Sequence, residues 1–429
     1  MTMVRTTLAA AAALSMLGTY TATQAQAPSC THTVGMVVSL TGPAARFGQA
    51  AAKSAELAFN EINSAAGSAG VAGCKLSFDL RDAQSQGSVA VDQARQLVDL
   101  KKVPAIIGGI ISSVSIPIVT SVTAPAGVVQ ISPASTSPTL TRLGNEGTSK
   151  GWFFRTITSD ALQGTAAAKY ALDQGLRTLA IIHVNNDFGV NMLAEFRRAY
   201  EALGGKIVSV TPYNQNQPSY AAEVTNALKG EPPALYFIGY PGDGTSVIRT
   251  WLQQGGARKF LFNDGMNAAD FIKGVGPQFL NEAFGTSSGT NRTPSTEYFA
   301  KAYPAMSGGF DAGAPAADRA FDATAILGLA IAHAGKFEAA AIRDSVRRIT
   351  GPGGEVVHAG PDGFKRALQL IAEKKPVRYV GVIGAVEFDK NGDIVGPFRT
   401  WRLVNGEVTT VGQMSTEDVQ AVQARLPAR

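Results

Sequence analysis

Strand-length apolar runs alternate with helix-patterned segments along most of this chain, and the alternation occurs in two successive arrays. The first array has strand-like runs at 34–40, 75–81, 104–109 and 127–132, with helical patterns at about 47–66, 88–101 and 113–125. The second has strand-like runs at 178–184, 206–211, 234–239 and 259–262, with helical patterns at 188–203, 218–228 and 244–254. Such alternation is typical of a parallel sheet covered by helices on both faces. The pattern predicts an α/β fold with two doubly wound parallel-sheet lobes.

The length agrees with two lobes, because 429 residues exceed what one hydrophobic core usually holds. Charged residues make up 17% and apolar residues 45%, which is typical of a globular chain. The net charge of +5 is spread over scattered pairs such as Lys101-Lys102 and Arg347-Arg348. No basic run has the form of a nucleic-acid footprint. We therefore expect no nucleic-acid partner.

The region beyond residue 315 is less regular. Residues 315–349 are expected to be helical, 351–363 to form a glycine-rich loop, and 363–374 to form a short surface helix on the first lobe. Two further strand-like runs, "FRTWRLV" and "EVTTV", follow.

The first 27 residues have the composition of an export signal. Arg5 gives a short basic start, residues 8–17 form an alanine-rich apolar core, and Ala25-Gln26-Ala27 fits a cleavage site. The apolar core is too short to span a bilayer, and no later segment is long and apolar enough to do so. We expect cleavage after Ala27, with Ala25 as the alternative, and export to the periplasm.

The two cysteines, Cys30 and Cys74, are expected to form a disulfide. An exported chain meets an oxidising compartment. Each cysteine also precedes a predicted strand, so parallel pairing of those strands would bring the two thiols together. The alternative is a pair of free, buried thiols.

Polar and aromatic side chains follow the predicted strands, at the edge where open α/β sheets bind ligands. The residues that follow the strands of the first array are 39–43, Asp82, Ser112-Ser113 and 132–136. Those that follow the strands of the second array are 185–188, Tyr213, Tyr240 and Asn263-Asp264. Hydroxyls and backbone amides near helix starts favour an anion such as a carboxylate. An acid and aromatic rings favour a cation and an apolar group. The two sets together indicate a zwitterion held between the lobes.

Several stretches carry a family resemblance: "SLTGPAARFG", "IGGIISS", "ISPASTSPTLT", the run 178–189 and "VEFDKNGDIVGPFRTWRL". In these stretches the chain resembles the periplasmic leucine/isoleucine/valine-binding proteins, which are type I substrate-binding proteins of ABC importers. The resemblance implies lobes joined by three crossing segments, the first at 28–157 plus 288–392 and the second at 158–287 plus 393–429. It also implies a monomer without a cofactor that delivers a small-molecule ligand to permease and ATPase subunits.

The resemblance also assigns ligand contacts on the first lobe. The family serine after the third strand falls on Ser112, with Ser113 beside it, and would contact the amino-acid head of the ligand. The family's small-small-threonine stretch falls on Ala134-Ser135-Thr136. There the Ala134 carbonyl would accept from the ammonium, and the Thr136 hydroxyl and amide would bind the carboxylate.

Four more contacts follow from the same resemblance. The family tyrosine that opens the second lobe falls on Phe188, which lacks the hydroxyl, and Tyr240 matches the tyrosine after that lobe's third strand. The acid that pairs with the ammonium falls on a shorter carboxylate, Asp264. Phe47 would line the pocket for the ligand side chain.

Most of these residues also have a structural interpretation. Ser112 and Ser113 would serve as helix caps, and Thr136 as the cap of a turn. Phe188 heads an apolar helix stripe, and Tyr240 and Asp264 border or occupy turn sequences.

Three further patterns do not favour other functions. "GTSSG" at 285–289 fits a nucleophile motif, but the run continues toward Pro294 without a helix packed directly after it. "DKNGD" at 389–393 has Ile394 and Thr400 where a calcium loop needs glycine and glutamate, so we expect a hairpin turn. The four histidines lack metal-ligand spacing.

These observations predict a periplasmic binding protein, not an enzyme, that captures an amino acid with an aliphatic or other apolar side chain. The alternative is a ligand-sensing protein of the same fold that binds an amide or an aromatic acid.

Overall fold

The structure, a computed structural model, describes residues 30–427. The predicted export signal and its cleavage site lie outside the described residues.

The first lobe contains a five-stranded sheet in the order β2-β1-β3-β4-β5, with every pair parallel. Its strands are β1 (Thr31–Val38), β2 (Lys75–Asp82), β3 (Ala105–Gly108), β4 (Val129–Ser132) and β5 (Phe153–Arg155). Its helices are α1 (Ala45–Ala66), α2 (Gly87–Arg95), α3 (Ser112–Ile118), α4 (Ala124–Ala126) and α5 (Pro138–Asn145). Strands β3, β4 and β5 are buried along their whole length. Burial on both faces agrees with the apolar residues of these strands, and the polar exceptions, Gln130, Ser132 and Arg155, are hydrogen-bonded inside the protein.

The second lobe contains a seven-stranded sheet in the order β15-β14-β10-β9-β8-β6-β7. Its strands are β6 (Thr178–Val184), β7 (Lys206–Tyr213), β8 (Leu235–Ile238), β9 (Phe260–Phe262), β10 (Phe284–Ser288), β14 (Phe398–Val404) and β15 (Glu407–Met414). Its helices are α6 (Asp160–Asp173), α7 (Asp187–Ala202), α8 (Ala221–Ala227), α9 (Pro241–Gln253), α10 (Ala269–Val275) and α15 (Thr416–Gln423). The first five strands in the chain pair in parallel, whereas β14 and β15 join the edge in antiparallel pairing.

The segment between β10 and β14 adds four helices and a small sheet. The helices are α11 (Pro294–Met306), α12 (Ala317–Ala334), α13 (Ala339–Thr350) and α14 (Pro361–Ala372), and the strands are β11 (Glu355–His358), β12 (Val377–Gly381) and β13 (Gly384–Ala385). Helices α12 and α14 both pack against α1. The added segment therefore lies on the first lobe's side of the molecule.

Helix α12 is apolar because it is a core helix, with most of its side chains buried. No single helix within 30–427 is long and apolar enough to cross a membrane; α12 and α13 meet that test only as a pair bent by 112°.

Three chain segments meet where the two sheets adjoin. Thr158 forms a parallel bridge with Ile394, and its hydroxyl is hydrogen-bonded to that of Ser288. These three residues lie at or next to the predicted lobe boundaries, which stay a prediction.

The disulfide prediction is confirmed: Cys30 and Cys74 are bonded, with their Cα atoms 4.9 Å apart. The register of the parallel strands β1 and β2 pairs Thr31 with Lys75, which places the two cysteines side by side.

One predicted segment is wrong. The expected loop over 351–363 contains strand β11, which pairs in parallel with β12. The predicted short helix beyond it is present as α14, and its Phe364, Ala367 and Leu370 are buried. Its other face, with Lys365 and Gln369, is exposed, as expected of a surface helix.

Candidate functional site

A cavity of about 320 Å³ lies between the two lobes, at the carboxyl ends of the parallel strands. This volume is at the lower end of the range for small-molecule sites. Seven of the predicted ligand contacts line it: Phe47, Ser112, Ala134, Thr136, Phe188, Tyr240 and Asp264. Residues from three widely separated parts of the sequence therefore meet at one place, as the strand-end argument predicts.

The structure does not bring Ser113 and Ser135 to the wall of this cavity. The Ser113 carbonyl lies close to Gly87, and its buried hydroxyl has no hydrogen-bond partner among the described residues. The Ser135 hydroxyl is 2.7 Å from that of Ser115, inside the first lobe. Ser135 therefore helps to hold the loop in place, and neither serine lines the cavity.

Residues 132–137, here called the site loop, are held mainly by their own hydroxyls. The Ser132 hydroxyl donates to the Gly109 carbonyl at 2.7 Å and accepts from the Ser135 amide at 3.1 Å. The Ser137 amide donates to the Ser112 hydroxyl at 3.1 Å. Most of the small polar side chains after β4 thus shape the loop, and the sequence pattern alone does not distinguish them from ligand contacts.

A buried arginine fixes the same loop from behind. Arg155 is fully buried, and its Nη1 donates to the carbonyls of Ser135 and Ser137, each at 3.1 Å. Its Nε is 2.6 Å from the carboxylate of Asp393. The "DKNGD" segment forms a turn closed by the bond from the Asp389 amide to the Asp393 carbonyl, and it supplies this counter-ion.

Thr136 is hydrogen-bonded to a second buried acid, Asp160, which was not among the predicted site residues. Its hydroxyl donates to the Asp160 carboxyl at 2.7 Å. Burial raises the pKa of Asp160 well above its usual value, and the nearby charge of Asp264 raises it further. Because the hydrogen bond to Asp160 uses its proton, the Thr136 hydroxyl presents a lone pair to the cavity. The predicted role of that hydroxyl, as a partner of the ligand carboxylate, stays a prediction.

Asp264 lies directly after β9, on the second lobe. Its Oδ1 accepts from the Gly265 amide at 2.9 Å and from the Asn263 side chain at 3.3 Å. Burial raises the pKa of Asp264, because the ionised carboxylate loses water without gaining an ion-pair partner among the described residues.

Three aromatic rings form part of the cavity wall. The rings of Phe188 and Tyr240 stack at 5.6 Å, and Phe47 meets Tyr240 edge-on at 6.3 Å. The Tyr240 hydroxyl accepts from the Asn186 side chain at 3.3 Å. Phe47 belongs to the first lobe, so this contact crosses the cleft.

The cleft is also bridged at its mouth. The Gly242 amide donates to the Pro43 carbonyl at 3.3 Å, and the side chains of Arg46 and Asp270 form an ion pair at 2.5 Å. The two lobes thus contact each other over the cavity.

Sequence analysis missed three charged residues on the cavity wall: Asp318, Arg319 and Arg399. Arg319 and Asp318 begin α12, and Arg399 lies on β14. No signal in the sequence marks them, because the segments that carry them reach the cleft only through the crossing connections.

Comparison with known proteins agrees with this geometry. A family model described as periplasmic binding protein matches residues 31–369. The chain belongs to the periplasmic binding protein family. This is a family of binding proteins, which agrees with the prediction that the chain is not an enzyme.

The relatives of this periplasmic binding protein include a Leu/Ile/Val-binding protein homolog of Brucella suis, 28% identical over 245 residues. That match covers 57% of this chain and 63% of the relative. A chemotactic signal transduction system substrate-binding protein, BasB of Halobacterium salinarum, is 26% identical, and the match covers 88% of both chains.

Solved structures show the same fold. The leucine-binding protein LivK of Thermotoga maritima superposes with a TM-score of 0.75 at 22% identity, covering 90% of this chain and 99% of LivK. A benzoate complex of an ABC transporter solute-binding protein from R. palustris gives a TM-score of 0.73 at 16% identity, with 90% and 97% covered.

Proposed function

We propose that this protein is the substrate-binding protein of an ABC importer, that it resides in the periplasm, and that it captures an amino acid. The observation that carries the proposal is the position of Ser112, Ala134 and Thr136 opposite Asp264 across one closed cavity. Groups that fit the two charges of a zwitterion are thus supplied by different lobes.

The head of the ligand would be held as follows. The Ser112 hydroxyl already accepts from the Ser137 amide, so its own proton is available for the ligand carboxylate. The Ala134 carbonyl, the lone pair of the Thr136 hydroxyl and the Asp264 carboxylate would accept from the three N–H groups of the ammonium. An apolar part of the ligand side chain would lie against Phe47 and the other apolar wall residues: Ile110, Ile111, Ile157, Phe188 and Phe299.

Because the ligand would be contacted by both lobes, its binding would favour the closed arrangement of the lobes. A ligand shifts an open–closed equilibrium only if it binds the closed state better. Asp264 and Tyr240 reach a ligand seated on the first lobe only when the lobes meet, so these two residues would supply the difference. The closed protein would then be presented to the permease and ATPase subunits.

Isothermal titration calorimetry with amino acids tests the proposal. Removing one partner of a buried charge pair costs about 2–5 kcal/mol, so Asp264→Asn should weaken binding by roughly 30-fold or more. Glu201→Gln, at an exposed acid near the end of α7 on the same lobe, is the control and should leave the affinity unchanged. Unchanged affinity in Asp264→Asn would contradict the site assignment.

A sensing function is the second candidate, favoured by the BasB match over 88% of both chains. The benzoate complex of similar fold makes aromatic acids the alternative ligand class. A thermal-shift screen of amino acids, amides and aromatic acids separates the classes, since a ligand at 100 times its Kd adds about 2.7 kcal/mol of stability. A response to aromatic acids alone would favour the second candidate.

A further inference from the structure

The cavity wall carries four charged residues, two acids and two arginines. They are Asp264, Asp318, Arg319 and Arg399. In the proposed function Asp264 receives the ligand's ammonium. One acid and two guanidinium groups then remain at the other part of the wall.

Both terminal nitrogens of Arg319 have partners in the protein, although its Nε has no hydrogen-bond acceptor among the described residues. Its Nη1 lies 2.6 Å from the Asp318 carboxylate, and its Nη2 donates to the carbonyls of Ser288 and Gly289 at 2.9 and 3.2 Å. The Asp318 carboxylate is ion-paired with Arg319 and is therefore not a partner for Arg399. This pair is a structural part of the wall.

Arg399 has no comparable partner. Within residues 30–427 it forms no ion pair, and its Nε is buried without a hydrogen-bond acceptor. Its place is fixed by the antiparallel register of β14 and β10, which sets it opposite Ser287, another residue of the cavity wall. Burial lowers the pKa of Arg399; the charges of Asp318 and Asp264 oppose the effect, and the charge of Arg319 adds to it.

An arginine in this position is costly for the protein alone. A guanidinium stays charged at any physiological pH, and a charge withdrawn from water without a partner destabilises the fold. Its cost would be offset if a bound molecule supplied the missing anion. Arg399 also borders a second cavity of about 590 Å³, so there is room beside it.

We propose that Arg399 binds a carboxylate at the far end of the ligand side chain, so that the cargo is an acidic amino acid. This inference rests on the proposed function and narrows its ligand: the methylene groups would lie on the apolar wall and the terminal carboxylate at Arg399. A purely aliphatic amino acid would fill the apolar wall but leave the guanidinium unpaired in a closed cavity.

The test is calorimetry with L-glutamate and L-2-aminoadipate against L-leucine and L-norvaline, on the wild type and three variants. The wild type should prefer an acidic ligand by tenfold or more, since truncating one partner of a buried charge pair has an effect of at least that size. Arg399→Met should lose this preference, and Arg399→Lys should keep part of it. Arg402→Met, at an exposed arginine three positions along the same strand, should keep all of it.

Each outcome decides one point. Tighter binding of the aliphatic ligands by the wild type, or an acid preference that survives Arg399→Met, would overturn this inference while leaving the amino-acid function intact. Absence of binding for every amino acid would overturn both. An aromatic acid held in an Arg399-dependent way would keep the anion contact and overturn the amino-acid cargo.

The unliganded variants provide an independent readout. Arg399→Met should melt at the wild-type temperature or above it, because it removes an unpaired buried charge. A clear fall in its melting temperature would mean that Arg399 stabilises the fold itself, and this would contradict the proposed role.

Discussion

At the scale of single residues, the Asp264 carboxyl makes the unliganded protein sensitive to pH. Burial raises the pKa of Asp264 above its value in an unfolded chain. Such an acid destabilises the fold above its folded-state pKa, and the effect disappears below its unfolded-state pKa. Asp264→Asn should therefore raise the melting temperature of the unliganded protein at pH 7, and this gain should shrink as the pH falls toward about 4.

The measurement is thermal unfolding of both proteins over that pH range, without ligand. Asp187→Asn, at an exposed position, should stay within about 0.5 kcal/mol of the wild type throughout. A gain for Asp264→Asn that does not depend on pH would contradict the argument.

A second residue-scale prediction concerns the charge behind the site loop. Asp393→Asn would leave the fully buried guanidinium of Arg155 without its counter-ion. Breaking a buried pair in this way costs about 3–5 kcal/mol. Urea unfolding should show that loss, whereas Asp173→Asn, which breaks an exposed pair with Lys169, should cost about 0.5 kcal/mol or less. Equal losses in the two variants would mean that Arg155 finds other acceptors.

The sequence predicts some of these residues and not others for a physical reason. Ser112, Thr136 and Asp264 each lie shortly after the end of a strand. Their place at the carboxyl edge of a sheet therefore follows from the order of strands and helices along the chain. Whether a loop hydroxyl faces the ligand or its own backbone depends on the loop's folded path, and for this reason Ser135 was not distinguished from Thr136. Arg399 reaches the cavity through the pairing of β14 with β10, more than 100 positions away in the chain.

At the scale of elements, Asp322 on α12 fastens the small sheet to the core helix. Its carboxylate accepts from the Tyr379 hydroxyl at 2.8 Å and from the amides of Val382 and Ile383 at 2.9 and 2.8 Å. A side chain at Gly381 would collide with this carboxylate, with a Cβ only 2.3 Å away. Because Val382 lines the cavity, the fastening also shapes the ligand site.

Asp322→Ala should therefore reduce both stability and affinity. It leaves three buried donors without an acceptor, and we expect a loss of about 2–4 kcal/mol of unfolding free energy. Hydrogen exchange at Val382 and Ile383 should accelerate. Tyr379→Phe removes only one of the three bonds and should cost less; a larger loss in that variant would contradict this account.

Helices and strands could be predicted from the sequence where their pattern of apolar residues is long and regular. Most of the parallel strands, and the helices between them, were predicted from apolar periodicity, but β5 and β10 were not. Strand β11 was missed because its four residues, Glu355–His358, are mostly exposed and lie between glycines. Alternation of apolar and polar residues indicates which face of a strand is buried, but not which strand it pairs with. The pairing of β14 and β15 with the second sheet was therefore not predictable from that pattern.

At the scale of the whole molecule, closure depends on a close approach between the lobes. A Cβ built on Gly242 would lie 2.8 Å from the Pro43 Cα, across the mouth of the cleft. Gly242→Ala should therefore oppose closure without touching the cavity wall, and it should weaken ligand binding several-fold. The small-angle X-ray radius of gyration with ligand should exceed that of the liganded wild type.

The control is Gly396→Ala, where a Cβ would make an ordinary contact of 3.4 Å with a Thr158 methyl group. That variant should bind and compact like the wild type. If Gly242→Ala binds with wild-type affinity, the contact at the mouth is not part of the liganded state.

The second sheet is built from strands that lie far apart in the sequence, and this affects how the protein folds during synthesis. The first sheet is complete once residue 155 has been synthesised, whereas the second waits for β14 and β15, which end at Met414. Domains fold as their sequence emerges from the ribosome, N-terminal parts first. The half that carries Asp264 would thus remain unfinished until translation is almost over, with the edge of β10 bare for more than a hundred residues of elongation.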